Sequence, residues 1–367
     1  MRILHTEASL GWGGQEIRIL TEAAGMISRG HRVALACPRE SRICSEAERF
    51  GVPATALPIG QKHPAGVLAL RRLLSRHAFD VINTHSSTDS WLAAIACRAL
   101  KAPPPMVRTR HISARVPRDR LTRWLYASAT AQIVTTGEAI RHQLIQELGI
   151  DPSRVSSIPT GIDPGRFAPR SKCASREALK LPAGIPLAGI VATLRSWKGH
   201  RFLVDAMPLL NHRDAQLIIV GEGPQREALQ RQIADLRLSE RVRLVGNQDD
   251  VAPWLGALDV FALPSYANEG VPQALVQAML IGVPCVTTDA GAIGEVAIDD
   301  HTALVAAREN PIALAAAIDR LLADAQLGTR LVEAARAHAC AKFSLAAMLD
   351  RMESVFRAAT DERSRTS

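Results

Sequence analysis

Short apolar runs and amphipathic stretches take turns along the first half of the chain. The opening run, with Ile3 and Leu4, predicts a strand at residues 1–6. Residues 16–29 carry Ile17, Leu20 and Ala24 at helical spacing, which predicts a helix stopped by Gly30. The same reading gives strands at 33–37, 80–84, 106–109 and 133–136, and helices at 45–50, 67–77, 91–100, 121–129 and 139–148. Strands that are apolar throughout, each followed by a helix, imply a parallel sheet covered on both faces.

The pattern breaks at Ile158-Pro159-Thr160-Gly161-Ile162-Asp163-Pro164-Gly165, which is rich in turn formers, and residues 166–186 are polar and irregular. A linker belongs here. A second series follows, with strands at 187–193, 216–220, 242–245, 259–263 and 283–287, and helices at 200–210, 225–236, 272–280 and 312–323. Residues 325–359 read as helix with no strand. The expected class is α/β: two Rossmann-like, doubly wound parallel-sheet domains at 1–165 and 166–345, facing each other across a ligand cleft. A C-terminal helix and tail at 346–367 is expected to pack back on the first domain.

Composition narrows the class. A chain of 367 residues, 47% hydrophobic and 22% charged, is globular rather than disordered. No apolar run approaches the roughly 18–20 residues of a membrane span. The opening is too short and polar for a signal peptide, so a cytoplasmic location is expected. Six cysteines with no Cys-x-x-Cys pair point to reduced packing residues rather than zinc ligands.

Charge is unevenly spread. The first 165 residues hold 21 Lys and Arg against 13 Asp and Glu, whereas the rest holds 23 of each. The excess is densest between Arg98 and Arg123, where Lys101, Arg108, Arg110, Arg115, Arg118 and Arg120 also lie, against Asp119 alone. Such a field suits an acidic partner, the alternative being a solvated surface. Few aromatics interleave with it, so no nucleic-acid partner is expected.

Three segments carry candidate chemistry. Gly11-Trp12-Gly13-Gly14-Gln15-Glu16 follows the first strand, where glycines let backbone N–H groups approach a phosphate; a tight turn is the alternative. It matches neither the dinucleotide fingerprint nor a nucleotide-triphosphatase loop. Thr193-Leu194-Arg195-Ser196-Trp197-Lys198-Gly199 follows the first strand of the second half. Arg195 and Lys198 there could neutralise a diphosphate without a metal, or be surface cations. Pro264 to Pro272 leads into a helix, with the N–H groups of Gly270 and Val271 aimed at a ligand and Pro272 in the first turn. Glu269 could bind sugar hydroxyls, with Gln277 two turns on; the alternatives are a helix cap and a polar helix residue. His5, His85 and His111 each fall at a strand end, as ligand contacts or as packing residues.

These motifs together resemble the retaining family-4 glycosyltransferases of the GT-B fold. The likeness covers nearly the whole chain. It rests on the Gly-Gly-Gln-Glu loop, Arg29-Gly30-His31-Arg32-Val33, Ile158 to Asp163, Val220-Gly221-Glu222-Gly223-Pro224, and Val260 to Ser265. Asn268 to Gln277, with Gly291 and Glu295 after it, matches the family's Glu-x7-Glu motif. The resemblance implies that Glu269 contacts the donor sugar, Lys198 the diphosphate, and His111 the transferred sugar. Gly13 and Gly14 would lie by the diphosphate. Gln277 stands where the family has a ribose-binding glutamate. The family's arginine position is Thr193, with Arg195 as a substitute. Asn83 to Trp91, Arg108 to Ser113 and the opening loop look like the subgroup that builds lipopolysaccharide core.

The implied function is retaining, metal-independent hexosyl transfer from a nucleotide-sugar, expected to be a UDP-sugar, to an anionic glycolipid. The nucleotide-sugar is a substrate, and no cofactor is expected. A nucleotide-sugar epimerase of the same fold and a non-catalytic anionic-lipid-binding protein are the alternatives. For peripheral contact with the inner membrane surface, residues 115–129 predict a helix started by Pro117, with Leu121, Trp124, Leu125 and Ser128 on one face. Arg115, Arg118, Arg120 and Arg123 would form the acceptor or membrane surface. Packing of Trp124 and Leu125 into the core is the competing expectation.

Overall fold

The computed structural model describes residues 1–111, 116–267 and 269–366. The chain divides into two compact units, Met1–Thr160 with Ala346–Ser367, and Gly161–Leu345. The division falls between Thr160 and Gly161, a few residues ahead of the expected one, and the C-terminal helix Leu345–Thr366 belongs with the first unit.

In the first unit the strands are β1 (Arg2–Thr6), β2 (Arg32–Cys37), β3 (Ala54–Ala56), β4 (Val81–Thr84), β5 (Met106–Arg110), β6 (Gln132–Thr135) and β7 (Val155–Ser157). They form a parallel sheet in the order β3-β2-β1-β4-β5-β6-β7. Leu4 sits opposite both Ala34 and Ile82, so the middle of the sheet is apolar. The strand order reverses direction between β1 and β4, and the loops leaving the carboxyl ends of these two strands diverge.

The helix Gly14–Ser28 packs against β2. Its buried face is Glu16, Ile19, Leu20, Ala23 and Met26; of the expected Ile17, Leu20 and Ala24, Leu20 is buried and the other two are only partly so. Arg18 and Glu22 are buried too, because the C-terminal helix lies along the other flank. Arg18 donates to Ile158 O at 2.7 Å and reaches Met352 Sδ at 3.9 Å. Arg351 donates to Ser157 O.

The expected helix at 121–129 is Arg120–Ala127. Asp119, not Pro117, starts it, accepting from Thr122 N at 2.8 Å. A short carboxylate at the N-cap satisfies a first-turn donor, which proline cannot do. The strands β3 and β7 were not expected; each is a three-residue edge strand, too short to show a period.

The second unit holds β8 (Leu187–Val191), β9 (Gln216–Val220), β10 (Val242–Gly246), β11 (Val260–Leu263), β12 (Cys285–Thr287) and β13 (Leu304–Val305). They form a parallel sheet in the order β10-β9-β8-β11-β12-β13. Its reversal lies between β8 and β11. The segment expected to be irregular contains a helix, Lys172–Ala178. Arg176 anchors it, donating to Ala257 O at 2.9 Å and to Asp259 at 2.6 Å.

Gly25 marks the closest approach of the opening and C-terminal helices: a Cβ there would lie 2.5 Å from Leu349 Cδ1. Gly25→Leu should therefore destabilise the protein by about 1–3 kcal/mol through overpacking, despite the better helix propensity of leucine. Adding Leu349→Ala should restore part of the loss, measured by thermal unfolding.

Candidate functional site

Each unit concentrates its buried polar chemistry where its strand order reverses. In the second unit, the loop after β8 delivers Lys198 and the loop after β11 delivers Glu269. The Lys198 ammonium donates to both carboxylate oxygens of Glu269, at 2.7 and 2.9 Å. Ser265 Oγ donates to Glu269 Oε1 at 2.6 Å, and Thr288 Oγ1 donates to the Ser265 carbonyl. Glu269 is buried and Lys198 half-buried.

Backbone shape holds this pair in place. Gly199 has φ +74°, and a Cβ there would lie 2.0 Å from Pro264 O. Gly291 has φ +58°, and a Cβ would lie 2.1 Å from Glu269 O. Both positions need glycine for conformation and for room. Tyr266 N donates to Trp197 O at 2.9 Å, tying the two loops together.

The helix Gln273–Ile281 follows, with Pro272 as its N-cap rather than in its first turn, and no side chain caps it. Glu269 is not a cap; its carboxylate is taken by Lys198 and Ser265. Gly270 and Val271 are buried just before the helix, and Gln277 is half-buried along it. The structure brings Lys198 and Glu269 together but not Arg195. Arg195 is exposed and lies over the Trp197 ring at 5.8 Å.

In the first unit, Glu7 follows β1 and is fully buried. It accepts from Ser9 N at 2.7 Å and from Gln15 Nε2, so the loop carrying Gly11, Gly13 and Gly14 wraps around its carboxylate. Gly13 caps the helix Gly14–Ser28 with extended backbone and no side-chain bond. Asp89 lies beside Glu7. It accepts from Thr6 Oγ1 at 2.6 Å, His85 N at 2.9 Å and Ser86 N at 2.7 Å, completing a capping box on the helix Ser87–Arg98. Burial, with the neighbouring Asp89 charge, pushes Glu7 up to about 8.

The three strand-end histidines form one row. His5 Nδ1 is 2.9 Å from His85 Nε2, and His85 Nδ1 is 3.0 Å from His111 Nε2. Burial lowers His5 to about 3 and holds His85 and His111 well below the ordinary value, so all three are neutral. Sequence reasoning found these histidines but not Glu7, Asp89 or Ser265. The Ser86-x-x-Asp89 spacing was the available sign of the cap.

Among the basic residues, Arg118, Arg120 and Arg123 are exposed, Arg118 lying 3.6 Å from Glu147. Arg115, Ile112 and Ser113 lie outside the described residues. The expected apolar face is corrected: Leu125 is 1% exposed in the core, and the Trp124 ring packs 6.0 Å from Trp91. Of the apolar residues of that face, Leu121 is exposed, at 68%. Among the described residues, no helix is long and apolar enough to cross a membrane.

The profile of Glycosyltransferase Family 4 matches residues 12–166, and that of Glycosyl transferases group 1 matches 185–324. A D-inositol 3-phosphate glycosyltransferase of Xylanimonas cellulosilytica is 30% identical over 332 residues, 82% of this chain and 76% of that protein. The chain belongs to glycosyltransferase family 4. The UDP-Gal:alpha-D-GlcNAc-diphosphoundecaprenol alpha-1,3-galactosyltransferase of Escherichia coli is 30% identical over 246 residues, covering 62% of either protein. The fold is GT-B. Anabaena HepE in complex with UDP-glucose aligns with a TM-score of 0.87 at 22% identity, over 98% of this chain and all of that one. WaaG, a glycosyltransferase involved in lipopolysaccharide biosynthesis, aligns with a TM-score of 0.74 at 16% identity, over 96% of this chain and 99% of that one.

The buried acid of this family-4 chain's first unit has a measurable consequence. Folded Glu7 keeps its proton up to about 8, whereas the unfolded side chain releases it from 4.5 upward. The unfolded state therefore binds fewer protons in this window, and stability falls as pH rises through it. Glu7→Gln should flatten the decline between about pH 6 and 8, measured by urea unfolding at both ends.

Proposed function

We propose that the protein transfers a hexosyl unit from a UDP-sugar to an anionic acceptor, with retained anomeric configuration and no metal. The observation that carries this reading is the Lys198–Glu269 pair at the reversal of the second sheet, the ligand position of a doubly wound fold. Lys198 neutralises the diphosphate as it leaves, which is where a fixed cation contributes most. The uncapped helix Gln273–Ile281 directs its positive end, after Gly270 and Val271, toward the same phosphates. Glu269 accepts from hydroxyls of the donor sugar, and Gln277 binds the ribose hydroxyls. The family resemblance gives Gly13 and Gly14 a diphosphate-binding role and His111 a sugar-binding role. Arg195, exposed, adds only long-range positive charge. The leaving diphosphate takes the acceptor proton on the face from which it departs, which retains configuration. The names of the Escherichia coli relative and the Anabaena complex support a UDP-linked donor.

The test is transfer from UDP-hexoses in excess chelator. Lys198→Ala should lower kcat by about 10²–10³-fold. Proton NMR of the product should show an α linkage from an α donor. A strict manganese requirement or a β product would refute the reading.

For the acceptor, we favour a glycolipid of the lipopolysaccharide-core type, met at the inner face of the cytoplasmic membrane. Exposed Arg118, Arg120 and Arg123 around Leu121 support it, each cation near an anionic surface being worth about 1 kcal/mol. Fold likeness to WaaG and to the outer core galactosyltransferase WaaB agrees with it. A second reading has a soluble phosphorylated polyol as acceptor, which the names of the inositol 3-phosphate relatives favour. Vesicle sedimentation separates the two. A lipid acceptor predicts binding to anionic vesicles that weakens with salt and drops when Arg118, Arg120 and Arg123 become Ser. Absence of binding would favour the soluble polyol.

A further inference from the structure

Glu22 lies at the inner end of the histidine row and has no part in the transfer chemistry proposed above. We propose that Glu22 is a positioning residue that sets, through His5 and His85, which nitrogen of His111 carries the proton. The row forms because β1, β4 and β5 are neighbours in the sheet, with His5 next to last in β1 and His85 and His111 directly after β4 and β5. Each of its two contacts joins an Nδ1 to an Nε2.

A neutral imidazole carries one N–H, and each contact holds a single proton. If His5 carries its proton on Nδ1, His85 must accept at Nε2 and carry its own on Nδ1, and His111 must do the same. If His5 carries it on Nε2, all three carry it on Nε2. Mixed arrangements leave one contact with two protons or with none. The row therefore has two uniform states, and its inner end chooses between them.

That inner end is His5 Nε2. It is completely buried, has no hydrogen-bond partner, and lies 4.0 Å from Glu22 Oε1. An ionised Glu22 favours a proton on His5 Nε2, so all three histidines hold theirs on Nε2 and His111 Nδ1 presents a lone pair. A protonated Glu22 favours the opposite state, in which His111 Nδ1 presents an N–H. No described residue bonds His111 Nδ1.

The groups around Glu22 come from four elements. Arg18, on its own helix, places Nε 3.7 Å from Glu22 Oε2. His5 faces it from β1, and Asn83 of β4 donates to it at 3.2 Å, itself held by Thr109 at 2.9 Å. From the C-terminal helix, Arg351 adds positive charge near Arg18, and Phe356 meets His5 edge-on at 6.4 Å. Burial outweighs the Arg18 attraction and raises the Glu22 carboxyl to about 7. The change of state thus falls close to neutral pH. Under the transferase reading, it decides whether His111 accepts from a sugar hydroxyl or donates to one. That last step rests on the transferase reading; the coupling itself does not.

The experiment is long-range proton–nitrogen NMR of the full chain with labelled histidines, from about pH 5.5 to about pH 8.5. Signals are assigned with single His→Phe variants. The three side chains should be Nε2–H together at high pH and Nδ1–H together at low pH, with one midpoint near 7. Glu22→Gln should abolish this shared pH dependence. His85→Phe gives an independent check should that variant fail to fold: His111 should lose its response while His5 keeps it. Mixed tautomers, separate midpoints, no pH response, or a response that survives Glu22→Gln would overturn the proposal. In transfer assays, Glu22→Gln should remove an inflection near neutral pH from kcat while leaving donor KM unchanged. Should no transfer be found, the transferase reading fails, and the spectra still decide the coupling.

Discussion

A parallel sheet with helices on both faces has little free surface of its own, and its chemistry is forced to the loops at the carboxyl ends of the strands. Where the strand order reverses, two such loops part and leave room. Both units of this chain obey the constraint, at β1 and β4 in one and at β8 and β11 in the other. Glu7, His5 and His85 collect at the first reversal, Lys198 and Glu269 at the second. Residues as far apart in sequence as His5 and His85, 80 positions, meet there because the topology permits few other meeting places.

Gathering ionisable groups beside a sheet has an energetic cost. Removing a charge from water costs several kcal/mol even after relaxation. The second unit limits this cost by leaving Lys198 partly exposed and giving Glu269 three hydrogen bonds, from the Lys198 ammonium and Ser265 Oγ. In the first unit Arg18 and Glu22 are both without solvent contact, and Glu7 and Asp89 are neighbours of like sign. Burial then favours the neutral form of each group, which is why acids here titrate high and histidines low. Such sites tend to be functional because a purely structural core of the same volume is more stable when apolar.

Much of this was legible in the sequence. Continuous apolar strands announced two covered parallel sheets, and the glycine-bearing loops after the first strand of each half marked the right loops. The ordered motifs were specific enough to indicate the family. What stayed hidden depends on partners distant along the chain. The buried face of the opening helix was legible only at Leu20, because the C-terminal helix covers its second side, so Arg18 and Glu22 broke the apolar pattern without being exposed. Ser265 acts on Glu269 through a loop conformation that no spacing reveals. Asp119 outcompeted Pro117 as the helix start because it supplies an acceptor where the backbone needs one. The ligand role of Arg195 was inferred from position alone, and its side chain turns to Trp197 instead.

The C-terminal helix also bears on how the protein is made. Met352 and Phe356 belong to the interior of the first unit, yet they leave the ribosome after the entire second unit. The usual order, in which an N-terminal domain finishes folding first, is therefore inverted. The second unit is contiguous in sequence and can close during translation. Until the last helix arrives, Gly25 lacks Leu349 and Arg18 lacks Met352, and the nascent first unit exposes a strip that ordinary chains would already have covered. Holding that strip open without aggregation is a task for translation speed and chaperones, imposed by the order in which the chain threads its two units.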